Sequence, residues 1–260
     1  MTTAEPFFRR DGEHFVPTPA SRGPWDPKSL HGRVVIGLLG REIERRFGDP
    51  AFVPARLTVD MYRLPDLSPI DVVVRPIREG SRLKLIEAEL FSDGKSSARA
   101  TCQLLRRTDA PPGRVWSPSN WDAPAPRDIP EPEDRRGGLG GMWATRPVAG
   151  AFGDVGPRRL WMSEVRELIE GEAWTPFSRV AIAADFASPF ANAGDAGLGY
   201  INSDVTLYLA RVPVGEWVGF EVVDHEASEG VAFGACALYD EAGRIGQASV
   251  AALAQRRNMG

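Results

Sequence analysis

Two stretches of alternating apolar and polar residues, LTVDMYRLPDLSPIDVVV and SDVTLYLARVPVGEWVGFEVV, carry the same pattern about 148 residues apart. Arg63 and Pro65 match Arg211 and Pro213, and the glycines Gly80 and Gly230, then Gly94 and Gly243, keep nearly the same offset. A repeat of this length is a duplicated domain rather than a solenoid unit. Ahead of the first stretch, Leu30, Val34, Val35, Leu38, Leu39, Ile43 and Phe47 recur at helical spacing. Gly37 and Gly40 each cost this helix about 1 kcal/mol relative to Ala, so something is expected to pack closely on that face.

Strands are predicted near 57–62, 70–78, 82–91 and 96–105, the last two joined by SDGK, whose Asp-Gly favours a hairpin turn. The second half reads as a strand at 159–162, a helix from Pro176 to about Phe190, and strands near 203–209, 217–225, 231–239 and 245–255. Between the halves lies TDAPPGRVWSPSNWDAPAPRDIPEPEDRRGGLGG, whose seven prolines exclude helix and central strand. Its Trp116, Trp121 and Ile129 are costly to leave in water, so an extended strap that docks its tryptophans on the sheet is expected. A long helix followed by a curled antiparallel sheet, repeated, is the layout of an α+β double hotdog with two antiparallel sheets, each wrapped around a long helix. The expected units are residues 1–107, a strap at 108–150, and residues 151–260.

Composition changes this picture little. With 31 basic and 35 acidic side chains the net charge is −4, which argues against nucleic acid as a partner. The N-terminus shows no signal peptide, and no apolar run is long enough for a membrane span, so a cytoplasmic protein is expected. Cys102 and Cys236 fall in predicted strands and read as buried thiols. With three histidines and no CxxC, no metal site is indicated.

The candidate chemistry lies mostly on the second helix, TPFSRVAIAADFASPFAN. It is apolar nearly all round and therefore buried, with Arg179 and Asp185 its only ionisable side chains. Asp185 either pairs with Arg179 or backbone donors, or faces the seam between the halves as a carboxylate able to orient or deprotonate water. On the first helix, WDPKSLHGRVVIG makes His31, Gly32 and Arg33 candidate oxyanion or substrate-binding residues. Backbone N–H groups at a helix start can hold a developing negative charge; the alternative is that Gly32 only allows tight packing and His31 is a surface residue at the helix start. Asp26 and His31 form D-x4-H, a spacing used by hotdog hydratases. The strand INSDVTLYL places Asn202, Asp204 and Thr206 on one face by period 2, facing seam or solvent.

The blocks SLHGRVVIGLL, VDMYRLP, IREGSRLKLIEAELFSDGKSSARA, TPFSRVAIAADF and SDVTLYLARVPVGEW, in this order, resemble the acyl-CoA thioesterase II family over nearly the whole chain. The resemblance implies a double hotdog acting on long- or medium-chain acyl-CoA, with a water-activating Asp, Thr and Gln. The Asp falls on Asp185, the Thr on Asn202 and the Gln on Ala251, so one of the three is kept. Thr206 or Asp204 could supply part of the missing set. The leading expectation is hydrolysis of a fatty acyl-CoA by an Asp185-assisted water, with Asn202 and Thr206 contributing. No cofactor is called for, the CoA thioester being the substrate, and arginines at the rim would meet its phosphates. Alternatives are a non-hydrolytic acyl-CoA binding protein and a hotdog enoyl-CoA hydratase using Asp26 and His31. Apolar positions on sheet edges leave a homodimer open.

Overall fold

The computed structural model describes residues 4–118, 121–132 and 143–255. A hairpin of β1 (Phe8–Asp11) and β2 (His14–Pro17) leads into α1 (Gly32–Phe47), then β3 (Phe52–Met61), β4 (Ile70–Glu79), β5 (Leu83–Ser92) and β6 (Lys95–Arg106). The second half runs through β7 (Trp143–Ala149), β8 (Arg159–Glu164), α2 (Pro176–Ala184) and α3 (Ala187–Asn192). Short strands β9 (Ala193–Gly194), β10 (Gly197–Leu198) and β11 (Tyr200–Asn202) follow. It closes with β12 (Asp204–Leu209), β13 (Val218–Ser228), β14 (Val231–Asp240) and β15 (Gly243–Ala254).

The strands do not form two separate sheets. All but β9 and β10 belong to one antiparallel sheet of 13 strands, ordered β1-β2-β4-β5-β6-β3-β12-β15-β14-β13-β8-β7, with β11 also on β15. The join is β3 against β12, where Val59 meets Val205 and Leu57 meets Leu207, a desolvated apolar seam. Thr58 stands opposite Thr206, its own counterpart in the repeat, with the two hydroxyl oxygens 3.2 Å apart. The pseudo-twofold relating the halves therefore passes between these threonines.

Nor is the second helix one piece. It breaks after Ala184 and resumes at Ala187. Pro189 is the cause: it has no N–H to give the Asp185 carbonyl four residues earlier, and its ring crowds that carbonyl. The chain tightens instead, with Phe186 N–H donating to Ala183 O at 2.9 Å and Ser188 N–H to Asp185 O at 3.0 Å. Asp185 thus sits at a bend rather than along a helix face.

The close packing expected at Gly37 and Gly40 is present. The two helices lie antiparallel, and a Cβ on Gly37 would approach Ile182 Cβ to 3.0 Å, while one on Gly40 would approach Ala181 Cβ to 2.9 Å. Val34, Leu38, Ile43, Val180 and Phe186 join Leu57, Ile86, Leu207, Phe220 and Leu238 in a single core spanning both halves.

The strap docks one tryptophan of the two. Trp121 stacks on Tyr239 at 4.5 Å and meets Trp161 edge-on at 5.0 Å, over Gly219, where a Cβ would strike it at 2.5 Å. Trp116, by contrast, is 85% exposed, contrary to expectation. The strap's glycine cluster lies outside the described residues. Cys102 and Cys236 are buried free thiols, and burial raises both, Cys102 to about 12. Among the described residues no helix is long and apolar enough to cross a membrane.

Candidate functional site

Helix α1 opens at His31, whose Nδ1 accepts from the Arg33 backbone N–H at 3.2 Å and caps the first turn. Gly32 follows, and its N–H is one of the first-turn donors that a helix leaves without an internal acceptor. The bend at Asp185 brings a buried carboxylate against this turn. Asp185 Oδ2 lies 3.3 Å from His31 Nδ1. A Cβ on residue 32 would come within 3.0 Å of Asp185 Oδ1, so the missing side chain of Gly32 is what admits the carboxylate. Nδ1 carries one hydrogen at most in the neutral ring, so it either donates to Asp185 or accepts from Arg33, and the two roles exchange with the tautomer.

Asn202 completes the group by donating from Nδ2 to Asp185 Oδ1 at 3.1 Å. Sequence alternation places Asn202 on the face of Thr206, but the structure separates them. Tyr200 and Asn202 pair with Ala254 and Ala252, whereas Thr206 and Tyr208 pair with Ser249 and Gln247, a register shifted by one residue. Such a bulge switches the face on which later side chains emerge. Asn202 therefore shares the buried side with Ala252, and Thr206 faces the other way, toward Thr58. Asp204 holds the bulge, its Oδ1 accepting the Ala251 N–H at 2.6 Å. Burial and the facing Asp60 raise its carboxyl above the usual range, although the Ala251 N–H works against this.

A cavity of about 200 Å³ opens at this group, lined by His31, Gly32, Asp185 and Asn202, with Met61, Leu64 and Leu253 as apolar walls. Two further expected residues lie elsewhere. Arg33 is buried in an ion pair with Glu164 at 3.1 Å, its guanidinium over the rings of Phe7 and Trp143. Burial lowers Arg33 and raises Glu164 from their ordinary values. Ala251 faces away from Asn202 because it neighbours Ala252 on β15, so a glutamine there would not reach Asp185 from the buried side.

The pairing of Asp185 with Arg179 does not occur. Arg179 instead lies over Trp174 and 4.0 Å from Glu216. Asp26 is not joined to His31 either, since its Oδ1 accepts the Lys28 N–H at 2.8 Å in a local turn. A residue that the candidate set lacked is Arg63, exposed at the cavity mouth and in contact with no carboxylate among the described residues. The repeat had marked it only as a landmark.

Comparison with known proteins accounts for both halves. Residues 21–105 match the acyl-CoA thioesterase N-terminal domain, and residues 122–250 match the acyl-CoA thioesterase C-terminal domain. The chain belongs to the acyl-CoA thioesterase family. Among solved structures, this thioesterase chain superposes on the tesB protein of Mycobacterium avium subspecies paratuberculosis with TM-score 0.70 and 15% identity, over 96% of each chain. A hot dog fold protein from Alicyclobacillus acidocaldarius gives 0.73 and 14%, over 95% of each chain. Acyl-CoA thioesterase II from Mycobacterium marinum gives 0.64 and 16%, over 87% of this chain and 91% of that one. These identities establish the hotdog fold alone. No curated protein sequence matches the chain.

Proposed function

We propose that this thioesterase-family chain hydrolyses a fatty acyl-CoA with a water activated by Asp185. The observation that carries the proposal is a buried carboxylate in contact with His31 and Asn202, at the edge of a cavity beside the first turn of α1, with the charge of Arg33 nearby. Asn202 spends its amide N–H on Asp185, leaving its Oδ1 to accept a water hydrogen. A water held between Asp185 and Asn202 attacks the thioester carbonyl, and its proton passes to Asp185. His31 Nδ1 can accept that proton's hydrogen bond when the Arg33 N–H releases it. The carbonyl oxygen gains the negative charge and is met by the Gly32 N–H and the positive end of α1. Collapse breaks the C–S bond, and the departing thiolate takes the proton from Asp185. Arg63, which lines the same cavity and is exposed, would meet the phosphates of CoA.

The test is thiol release from acyl-CoAs of increasing chain length, with wild type and Asp185→Asn compared. Loss of an acid or base group costs about 10²- to 10⁴-fold, so a fall of about 100-fold in kcat is expected. Equal turnover by the two proteins would overturn the role of Asp185. Saturable binding without release from any substrate would favour a non-hydrolytic acyl-CoA binder.

A further inference from the structure

The pseudo-twofold has a second consequence at the other end of the helix pair. There Glu44, near the end of α1, accepts a hydrogen bond from the hydroxyl of Thr175, the N-cap of α2. This repeats the relation of Asp185, at the end of α2, to His31, the N-cap of α1. The surroundings repeat as well. Val212 stands where Leu64 stands at the first site, Pro54 where Asn202 stands, and Leu104 where Leu253 stands, at offsets of 148 or 149 residues. The cavity they enclose is about 500 Å³, larger than the one at Asp185 and within the range of small-molecule sites.

We propose that this cavity is a second ligand site, the internal duplicate of the first, which takes an acyl chain bearing an anionic head and holds it without hydrolysis. Ile43, Phe52, Leu104, Trp174, Phe177 and Val212 give it an apolar wall for the chain. Arg107 supplies the cation. Its Nε holds the Pro50 carbonyl at 3.2 Å, its guanidinium is exposed, and it meets no carboxylate among the described residues. Arg41 and Arg45 on the same rim are already tied to Glu42 and Glu172. Hydrolysis is not expected because Pro54 offers no side-chain donor or acceptor where Asn202 does, and the Glu44 carboxylate is taken by Thr175. Burial also raises Glu44, against the Thr175 hydroxyl and the charge of Arg41.

The ligand class rests on the thioesterase reading, and the test separates the two. Calorimetric titration with a dodecyl-CoA thioether, which has no carbonyl to hydrolyse, should give two equivalents per chain. Val212→Trp, filling the second cavity, and Leu64→Trp, filling the first, should each leave one. Arg107→Ala, an exposed change that does not threaten folding, should weaken one of the two binding steps about tenfold. Parallel titrations with dodecanoate show whether the site takes the free acid or requires the CoA ester. One equivalent in wild type that Leu64→Trp abolishes and Val212→Trp spares would overturn the second site and leave the first intact. One equivalent lost only in Val212→Trp would uphold the second site and count against acyl-CoA binding at Asp185. No binding of either probe at millimolar concentration would overturn the inference.

Discussion

In the second half of the chain Arg211 reaches Asp240 with both of its terminal nitrogens, and Asp240 also accepts the backbone N–H groups of Val214 and Ala242 at 2.8 and 2.9 Å. The first half keeps the same turn with a serine. Ser92 stands where Asp240 stands, and its hydroxyl accepts the Asp66 N–H at 3.0 Å, as Asp240 accepts that of Val214. A hydroxyl satisfies the backbone but offers no charge, so Arg63, the counterpart of Arg211, is left exposed at the mouth of the Asp185 cavity. The duplicated fold has the cap in both halves and the ion pair in one. An arginine locked in a bidentate pair steadies a turn, whereas the same arginine without a partner can meet a substrate anion.

The most severe break in this asymmetry is Asp185→Asn, expected to lower kcat about 100-fold, or about 2.7 kcal/mol. KM should move little, and thiol release reads both. Next comes Asp240→Asn. It leaves Arg211 without its anion and should cost about 2 kcal/mol of unfolding free energy at neutral pH, measured by urea denaturation. Burial alone would raise the Asp240 carboxyl, but the hydrogen bonds from Arg211 and Val214 hold it below the usual range. A carboxyl lowered in the folded state contributes stability above its unfolded value and loses it as pH falls through the folded one. The difference between wild type and Asp240→Asn should therefore be full at pH 6 and shrink below about pH 4.

Gly32→Ala comes third, with about a tenfold fall in kcat and little change in melting temperature. The new methyl would press on Asp185 Oδ1, only 3.0 Å away, so the cost falls on the carboxylate's position rather than on the core. A melting temperature lowered by several degrees with unchanged kcat would show instead that Gly32 serves packing. The smallest and most discriminating change is Ser92→Asp, which gives Arg63 the partner that Arg211 has. KM for acyl-CoA should rise about fivefold, an effect near 1 kcal/mol, with weaker salt dependence and kcat unchanged. An unaltered KM would remove Arg63 from the substrate path.

Much of this architecture is legible in the amino-acid sequence. The alternation in residues 57–62 and 203–209, the Asp-Gly turn, and the helix beginning at Gly32 all match observed elements. What the pattern misses follows from residues acting at a distance along the chain. Pro189 reads as one more apolar residue of a helix running to about Phe190, yet it bends the helix at Asp185 by withholding an N–H. Period-2 alternation puts Asn202 beside Thr206 because it assumes an unbroken strand, and the bulge that Asp204 holds separates them. The two tryptophans of the strap look alike in sequence, but only Trp121 has a glycine, Gly219, beneath it to make room.

The sequence by itself determined the duplication, the alternating strands, the buried second helix and the single carboxylate on it. Those properties follow from spacing and side-chain polarity, which are local. Only the tertiary structure decided which groups meet. The β3–β12 seam placed the halves about a twofold axis, the glycine-lined helix crossing set Asp185 on the first turn of α1, and a one-residue register shift carried Asn202 to it. A carboxylate's partners depend on distances across the fold, and no pattern along one chain records them.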